Sequence, residues 1–512
     1  MLSGCNAAPA AKDSPKELPS LSKVSSVEAE PTAIEPEQSL PLVSLDGTTH
    51  PYAVTLLDGG EQRVYSRSLR AWIQRSPSND SEQLGYLRAG GSAPVSGPPV
   101  AGSGCAEGWV PIRPRGFVCL GKRATLDVSD PIVQMSIEHP PEFGRKLPYI
   151  YGTVRNPGPE YARLPSHEQT LAIEHDLEER IPRWLEAGGE VGASYGQEVW
   201  LAPGEPLFDP KRDWTERATR GVPEWLAQGQ GLSGLEGRIR DADQIDLGTM
   251  RVKTGYSLLE TFVWQGRRFG LTPEAELVPT DRLRPIKGSD FHGVQVGKDV
   301  RLPFAFVRAL DARFRDGEPA PYRAALALTG KQQFFDGTLH YETSDGRWIS
   351  DRVASRLDPA KKLPGWAVKG EKWIDVNLTK QTLMLYQGVD PVYATLISSG
   401  EAGLEDSETT TATKRGIFRI HTKHVSTTMS SREIGEEFEL RDVPYVMYFD
   451  KGGYALHGAY WHDRFGVPKS HGCINLAPED ARRIFHWTEP VLPTGWHGVL
   501  SALTGTVVFV HP

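Results

Sequence analysis

The sequence lacks any apolar run long enough to cross a membrane. Its 512 residues contain no stretch of about 18 apolar residues, so the chain as given predicts no transmembrane helix. Basic tracts are also missing and the formal net charge is -8, which argues against a nucleic-acid-binding surface. Hydrophobic residues make up 39% and charged residues 24% of the chain, as in ordinary folded proteins. A chain of this length predicts about two to four domains.

Cysteine is scarce, with four residues in the whole chain. Cys105 and Cys119 lie 14 positions apart among short strands and turns. This spacing suits a loop-closing disulfide in an oxidising compartment, and two buried thiols are the alternative. Cys473 is then left without a cysteine partner, as a catalytic thiol must be.

The N-terminal segment, residues 1–47, combines a short motif with a polar composition. Its residues Leu2-Ser3-Gly4-Cys5 resemble a bacterial lipobox, in which signal cleavage leaves the cysteine as a lipid-carrying N-terminus. An incidental cysteine is the alternative. The residues that follow are rich in Ser, Pro, Ala and Glu, which predicts a disordered tether. Together these features predict an exported protein of the periplasm or cell envelope, attached to a membrane only through a lipid on Cys5.

Residues 50–127 contain short β-like runs separated by turns, which predict a small β-barrel. The order of these runs resembles bacterial SH3-like domains, and the resemblance implies binding to wall components. A β-barrel that only spaces the enzyme from its anchor is the alternative. The runs that carry the resemblance are Gly85-Tyr86-Leu87-Arg88, Gly108-Trp109 and Gly116-Phe117-Val118.

Residues 130–365 predict a mixed α/β region of unknown function. Two stretches, 269–283 and 345–353, suggest hairpins that each carry an aromatic residue and an Asp-Arg pair. They favour further SH3-like units, although two loose copies do not establish a repeat.

One helix is predicted within that region, over residues 168–187. Ser166 and Gln169 have the spacing of a capping box at its start. His167 and His175 share a face of this helix, but no third ligand follows at a diagnostic spacing. The sequence therefore predicts no metal site and no cofactor.

Residues 371–512 contain the candidate catalytic residues. They alternate between apolar and polar residues like strands, and His457 ends one of these strands. Cys473 follows 16 positions later in a loop. A cysteine nucleophile acts as the thiolate and needs a nearby base that a third group orients. Gly472 removes a side chain beside the thiol, so backbone N–H groups can approach a developing oxyanion.

The dipeptide His457-Gly458 followed by Ser470-His471-Gly472-Cys473-Ile474-Asn475 resembles the L,D-transpeptidase catalytic domain, also called YkuD. The resemblance implies that Cys473 attacks the amide between the diamino acid and D-alanine of a peptidoglycan stem. It implies that His457 is the base, held by the Gly458 carbonyl. His471, Gly472 and the Cys473 amide would line the oxyanion site.

The same resemblance implies supporting roles for Ser470 and Asn475, which would brace the loop. His421 and His424 are expected to be solvated, in a lid between residues 401 and 443, and contact with the substrate is the alternative.

The predicted fold is mainly β and multidomain, with small SH3-like barrels and a C-terminal β-sandwich-like catalytic domain. The predicted function is peptidoglycan L,D-transpeptidation, in wall biosynthesis and cell shape, with a second stem or a lipoprotein's lysine as acceptor. A hydrolase of stem peptides or protein links, using the same residues, is one alternative. A non-catalytic wall-binding lipoprotein is another.

Overall fold

The structure is a computed structural model. Within residues 60–501 and 505–512 it describes all except 139, 178, 180–200, 203–204, 207–220, 229–240, 242, 266 and 432–437. Strands in several sheets dominate these residues, which confirms the predicted mainly β fold class. No helix in the described part of the chain is long and apolar enough to cross a bilayer. Cys5 and the predicted tether lie outside the described residues.

The N-terminal unit consists of seven short strands in two small sheets, with strand orders β4-β1-β7 and β3-β2-β6-β5. Some of its apolar side chains, including Val64 and Ile73, are fully buried. The strands are β1 (Arg63–Ser66), β2 (Ala71–Gln74), β3 (Gln83–Leu87), β4 (Ser92–Pro94), β5 (Trp109–Pro111), β6 (Phe117–Cys119) and β7 (Ala124–Thr125).

The middle region begins with helix α1 (Pro131–Glu138) and is mostly β. Helix α2 (His167–Ile173) starts with the predicted capping box, since Ser166 Oγ accepts from the Gln169 amide. It ends at Ile173, so the predicted unbroken helix to residue 187 is wrong over residues 174–176; Leu177 is again helical, and most of the remainder lies outside the described residues. The other elements are β8 (Ile150–Val154), β9 (Gly158–Tyr161), β10 (Leu201–Ala202), β11 (Glu205–Pro206), α3 (Glu224–Ala227), β12 (Asp246–Met250), β13 (Thr254–Leu258), β14 (Glu260–Trp264), β15 (Arg267–Leu271), β16 (Leu277–Pro279), a 3-10 helix (Thr280–Arg282) and β17 (Leu283–Ile286).

A second β unit follows, and its five-stranded sheet has the order β22-β21-β20-β19-β23. The elements here are β18 (Val294–Gln295), β19 (Phe304–Val307), β20 (Ala325–Phe335), β21 (Thr338–Thr343), β22 (Trp348–Ser350), β23 (Ala354–Leu357) and α4 (Gly365–Val368).

The C-terminal part is built from two facing sheets. One has the order β18-β26-β25-β24-β33-β27, and the other contains β28 to β32. Ile374 and Leu385 from the first sheet share one apolar core with Met447 and Val499 from the second. The elements are β24 (Lys372–Asn377), β25 (Thr382–Gln387), β26 (Asp390–Leu396), β27 (Gly416–Arg419), β28 (Thr422–Ser431), β29 (Phe438–Tyr448), β30 (Ala455–Gly458), β31 (Ile474–Leu476), α5 (Pro478–Trp487), β32 (Gly498–Leu500) and β33 (Val507–His511).

The second C-terminal sheet continues into both neighbouring regions. Strand β3 of the N-terminal unit pairs with β32, with Tyr86 opposite Gly498. A Cβ at Gly85 would lie 2.3 Å from the Gly498 carbonyl oxygen, so this close pairing requires glycine. On the other side, β13 of the middle region pairs in parallel with β29. The sheet that contains β28 and β29 is therefore extended at both sides by strands from two other parts of the chain.

A buried ion pair lies where these parts meet. The guanidinium of Arg88, at the end of β3, bonds both oxygens of Asp442 in β29. Ser257 from β13 and Ser426 from β28 also donate to Asp442, at 2.5 and 2.7 Å. Glu274 accepts from Arg88 at 3.3 Å. The three regions are thus joined by one charged network in addition to their backbone pairing.

Candidate active site

Two parallel strands bring His457 and Cys473 together. In the β30–β31 pair, His457 is opposite Asn475, and Cys473 directly precedes β31. Because side chains alternate along a strand, positions 473 and 475 share the face on which His457 lies. Both side chains are buried, with 2% of His457 and 1% of Cys473 exposed, and Cys473 remains a thiol. The candidate base and the candidate nucleophile therefore lie on one face of neighbouring strands, and both side chains are buried.

The environment of His457 determines which ring nitrogen is available. Its Nδ1 faces the carbonyl oxygen of Gly458 at 3.4 Å, which leaves Nε2 for a proton acceptor role. Burial lowers the pKa of His457 to about 4, so the imidazole is neutral at pH 7. The ring of Trp461 lies 5.7 Å from that of His457 and covers it on one side.

The loop before Cys473 is held by its own serine. Ser470 Oγ donates to the carbonyl oxygen of Cys473 and accepts from the Gly472 amide at 3.1 Å. Gly472 has φ of 122°, and a Cβ there would lie 2.9 Å from the ring of Tyr454. Only glycine fits this position, so the backbone beside the thiol stays accessible to a substrate oxygen.

The structure places the remaining predicted residues around this pair. His471 lies against the ring of Phe438 at the start of β29, with centroids 5.3 Å apart. Asn475 exchanges two backbone hydrogen bonds with Ser398, at 2.9 and 3.0 Å. These two bonds tie β31, the strand that follows the nucleophile, to Ser398.

Sequence reasoning did not identify the chain that supports the nucleophile loop from behind. The carbonyl of Ser399 accepts from the amides of Lys469 and Ser470, at 2.8 and 2.9 Å. Gln381 in turn accepts from the Ser399 amide at 2.9 Å. The only local signal is the run of small residues Ser398-Ser399-Gly400 at the end of an apolar strand.

Tyr454 was also missed, although it contacts the nucleophile loop. Its hydroxyl donates to the carbonyl oxygen of Ser407 at 2.9 Å, and only 6% of the side chain is exposed. The segment 401–411 is thereby tied to the side of the site that holds Gly472.

The expected lid is wrong for this run, and His421 and His424 are partly buried rather than solvated. His421 directly precedes β28 and His424 lies within it, where residues 422–424 pair with β29 and β32. Lys423 between them is 1% exposed and donates to the Thr488 carbonyl at 2.7 Å.

Two further sequence interpretations concern residues away from the site. Cys105 and Cys119 form a disulfide with Cα atoms 5.7 Å apart. Glu174, which follows α2 and lies between His167 and His175 in the sequence, is bonded to Arg267 and Arg282 in a buried cluster. In the described ranges, no group of three or more His, Cys, Asp or Glu side chains is placed to hold a metal ion.

Comparison with known proteins covers the C-terminal part. Residues 371–510 match the family model for the L,D-transpeptidase catalytic domain, YkuD. A search of curated proteins found no match.

Three solved structures are similar to part of this chain. A mutant of the Enterococcus faecium L,D-transpeptidase is 25% identical, covers 28% of this chain and 50% of its own, and has a TM-score of 0.22. An L,D-transpeptidase from Stackebrandtia nassauensis is 25% identical, with coverage of 30% and 58% and a TM-score of 0.20. One from Mycobacterium smegmatis is 20% identical, with coverage of 40% and 78% and a TM-score of 0.22. The chain thus spans about half the length of the first of these proteins. The family match, together with the buried His457 and Cys473, identifies residues 371–510 as a YkuD L,D-transpeptidase catalytic domain.

Proposed function

We propose that this protein is a peptidoglycan L,D-transpeptidase that forms an acyl-enzyme on Cys473. The observation that carries the proposal is the parallel pairing of β30 and β31, which sets neutral, buried His457 beside the Cys473 loop on one face of the sheet. A neutral imidazole whose Nδ1 faces a carbonyl can accept a proton on Nε2. The donor is a tetrapeptide stem, and no cofactor takes part.

The first half of the reaction transfers the stem to the enzyme. His457 takes the thiol proton as Cys473 Sγ attacks the carbonyl carbon of the diamino acid, and the C–S bond forms. Backbone N–H groups at Gly472 and Cys473, with the neighbouring His471, stabilise the oxyanion. The intermediate collapses by breaking the C–N bond to D-alanine, whose amine receives the proton from His457. A thioester and free D-alanine result.

The second half transfers the acyl group to an amine. His457 removes a proton from the attacking amine, the new amide bond forms, and the C–S bond breaks to return the thiol with that proton. A side-chain amine of a second stem yields a cross-link, and the lysine of a lipoprotein yields an anchored protein. Water as the acceptor gives a free carboxylate, which would make the same site a hydrolase.

The test uses digested sacculi that contain tetrapeptide stems. We expect wild-type protein to produce cross-linked dimers and D-alanine in equal amounts, and Cys473→Ala to produce neither while retaining its circular dichroism spectrum. Loss of tetrapeptide without dimers would instead support the hydrolase. Unchanged muropeptides with a protein that sediments with sacculi would support the wall-binding alternative.

We further propose that the protein acts outside the cytoplasm. The Cys105–Cys119 disulfide supports this location, because disulfides persist in oxidising compartments. Lipid attachment at Cys5, the SH3-like character of residues 50–127, and wall binding by that unit remain predictions. Labelling with a radioactive fatty acid tests the first, and sedimentation of Cys473→Ala protein with sacculi, with and without residues 1–127, tests the second.

A further inference from the structure

A buried histidine outside the sequence motif lies beside the candidate catalytic pair. His462, in the segment between β30 and the nucleophile loop, is 3% exposed. Its ring packs against Phe465, with centroids 5.1 Å apart. Its two nitrogens both have polar neighbours, which is more than an aromatic packing residue needs.

The two nitrogens have different roles. The amide of Arg464 donates to His462 Nδ1 at 3.2 Å, so a neutral ring carries its hydrogen on Nε2. The carboxamide of Asn475 contacts that Nε2 at 2.9 Å. The Asn475 atom at that distance is Nδ2, and the ring N–H can bond the carboxamide only when its oxygen takes that place. We assign this orientation from the Arg464 contact, so that His462 Nε2 donates to the Asn475 oxygen.

These contacts form a closed ring of hydrogen bonds. Asn475 and Ser398 exchange backbone bonds, and Ser398 Oγ donates to the carbonyl oxygen of Arg464. Arg464 then donates to His462, which donates to Asn475. The segment that carries His462 is thus fastened to the strand that follows the nucleophile.

This ring of hydrogen bonds is connected to His457 and Cys473 in two ways. Asn475 is opposite His457 in the β30–β31 pair and lies two residues after Cys473. Trp461, the neighbour of His462, covers the His457 ring at 5.7 Å. A change at His462 is therefore expected to alter the spacing of His457 and Cys473 through Asn475 and Trp461.

We propose that His462 is a positioning residue that, through its hydrogen bond to Asn475, holds Cys473 at the distance from His457 at which the thiol is activated. The role of His462 in turnover rests on the proposed function. The effect of His462 on the reactivity of the Cys473 thiol does not, because that reactivity is measured on the protein alone.

Two substitutions separate positioning from packing. His462→Phe keeps an aromatic ring against Phe465 but removes both nitrogens. His462→Gln places a side-chain N–H near the position of Nε2 and loses the ring. A packing role predicts that Phe is the better replacement, whereas the positioning role predicts that Gln is.

The experiment follows alkylation of Cys473 by iodoacetamide from pH 5 to 9, by peptide mass spectrometry of the full chain. We expect His462→Phe to slow alkylation about tenfold at pH 7 and to move its pH profile to higher pH, because the loss of one positioning hydrogen bond changes a rate by about this factor. His462→Gln should stay within about threefold of wild type, as expected for a weakened bond. A His462→Phe protein that alkylates like wild type, or better than His462→Gln, would overturn the proposal.

A second measurement covers the case in which both variants lose stability. The effects of His462→Phe and Asn475→Ala on the alkylation rate should not multiply in the double variant, because both remove the same bond. Full multiplication of the two effects overturns the proposal even if the melting temperatures fall. Dimer formation from tetrapeptides is scored separately. Its absence in wild type, with the alkylation pattern intact, would reject the transferase function and leave the positioning role standing.

Discussion

Removal of the Arg88 guanidinium should destabilise the whole protein, because the charge of Asp442 would remain buried. The carboxylate of Asp442 is 1% exposed, and the side chain of Arg88 is 12% exposed. Arg88→Met keeps a chain of similar length and removes only the charged, hydrogen-bonding end. Loss of one partner of a buried ion pair costs roughly 3–5 kcal/mol of unfolding free energy. Since Ser257 and Ser426 still donate to Asp442, we expect a loss of about 3 kcal/mol, at the lower end of that range.

The size of this loss should depend on pH. Burial alone would raise the pKa of Asp442, but the charge and hydrogen bonds of Arg88 hold it below its ordinary value. In wild type the carboxylate stabilises the fold above its unfolded pKa, and this contribution is lost as the pH falls through the lowered folded pKa. In Arg88→Met, the effect of burial is opposed only by the hydrogen bonds from Ser257 and Ser426, so the folded pKa of Asp442 rises. The variant is then most stable at low pH, so its deficit should shrink between pH 7 and pH 5.

Urea unfolding at both pH values, followed by tryptophan fluorescence and by circular dichroism, measures the loss. Arg75→Met is the matched control, because Arg75 and its partner Glu82 lie in the same N-terminal unit with 61% and 54% of their side chains exposed. It should unfold like wild type. Arg88→Met/Asp442→Leu should recover much of the loss, since it removes the uncompensated charge. An Arg88→Met protein within about 1 kcal/mol of wild type at pH 7, the value of an exposed pair, would refute the reasoning.

Three further predictions concern the site and the disulfide. The acid limb of kcat/KM should have its midpoint near pH 4, because burial lowers the pKa of His457 to about 4. Activity should rise with pH as the imidazole loses its proton. A midpoint near the ordinary pKa of 6.5 would contradict this. Tyr454→Phe removes only the hydroxyl that bonds Ser407, so alkylation of the buried nucleophile should accelerate about fivefold as segment 401–411 loosens, and an unchanged rate would count against that restraint. Cys105→Ala/Cys119→Ala should lower the unfolding free energy by about 3 kcal/mol in urea, as expected for a closed loop of this size, whereas an unchanged midpoint would show that the loop is held by other contacts.

The parts of the fold that could be predicted depend on local pattern. Strand alternation in residues 371–512, and the spacing of Ser166 and Gln169, act over a few residues, and the structure has both features. The length of α2 was not predictable in this way, because the helix ends where Glu174 turns into a buried cluster with Arg267 and Arg282. Those partners lie about a hundred residues away along the chain, so no local rule indicates them.

The lid expectation failed for the same reason. A short run with two histidines and a lysine is polar and typical of an exposed segment. In the structure this run pairs with two strands, and Lys423 donates to backbone carbonyls at the end of α5. Burial of a lysine in this way depends on acceptors that only the folded chain brings together.

The sequence by itself determined which residue types are available for catalysis. A lone thiol, a histidine 16 positions earlier and a glycine beside the thiol are covalent facts, and their resemblance to a known motif needs no coordinates. The tertiary structure decided how these residues are held. Hydrogen bonds among Ser398, Arg464, His462 and Asn475 join segments that are far apart in sequence, and β3 and β13 extend the same sheet from other regions. Such pairings arise from the summed burial and hydrogen bonding of the whole chain, which is why the motif predicts the chemistry and the fold sets its geometry.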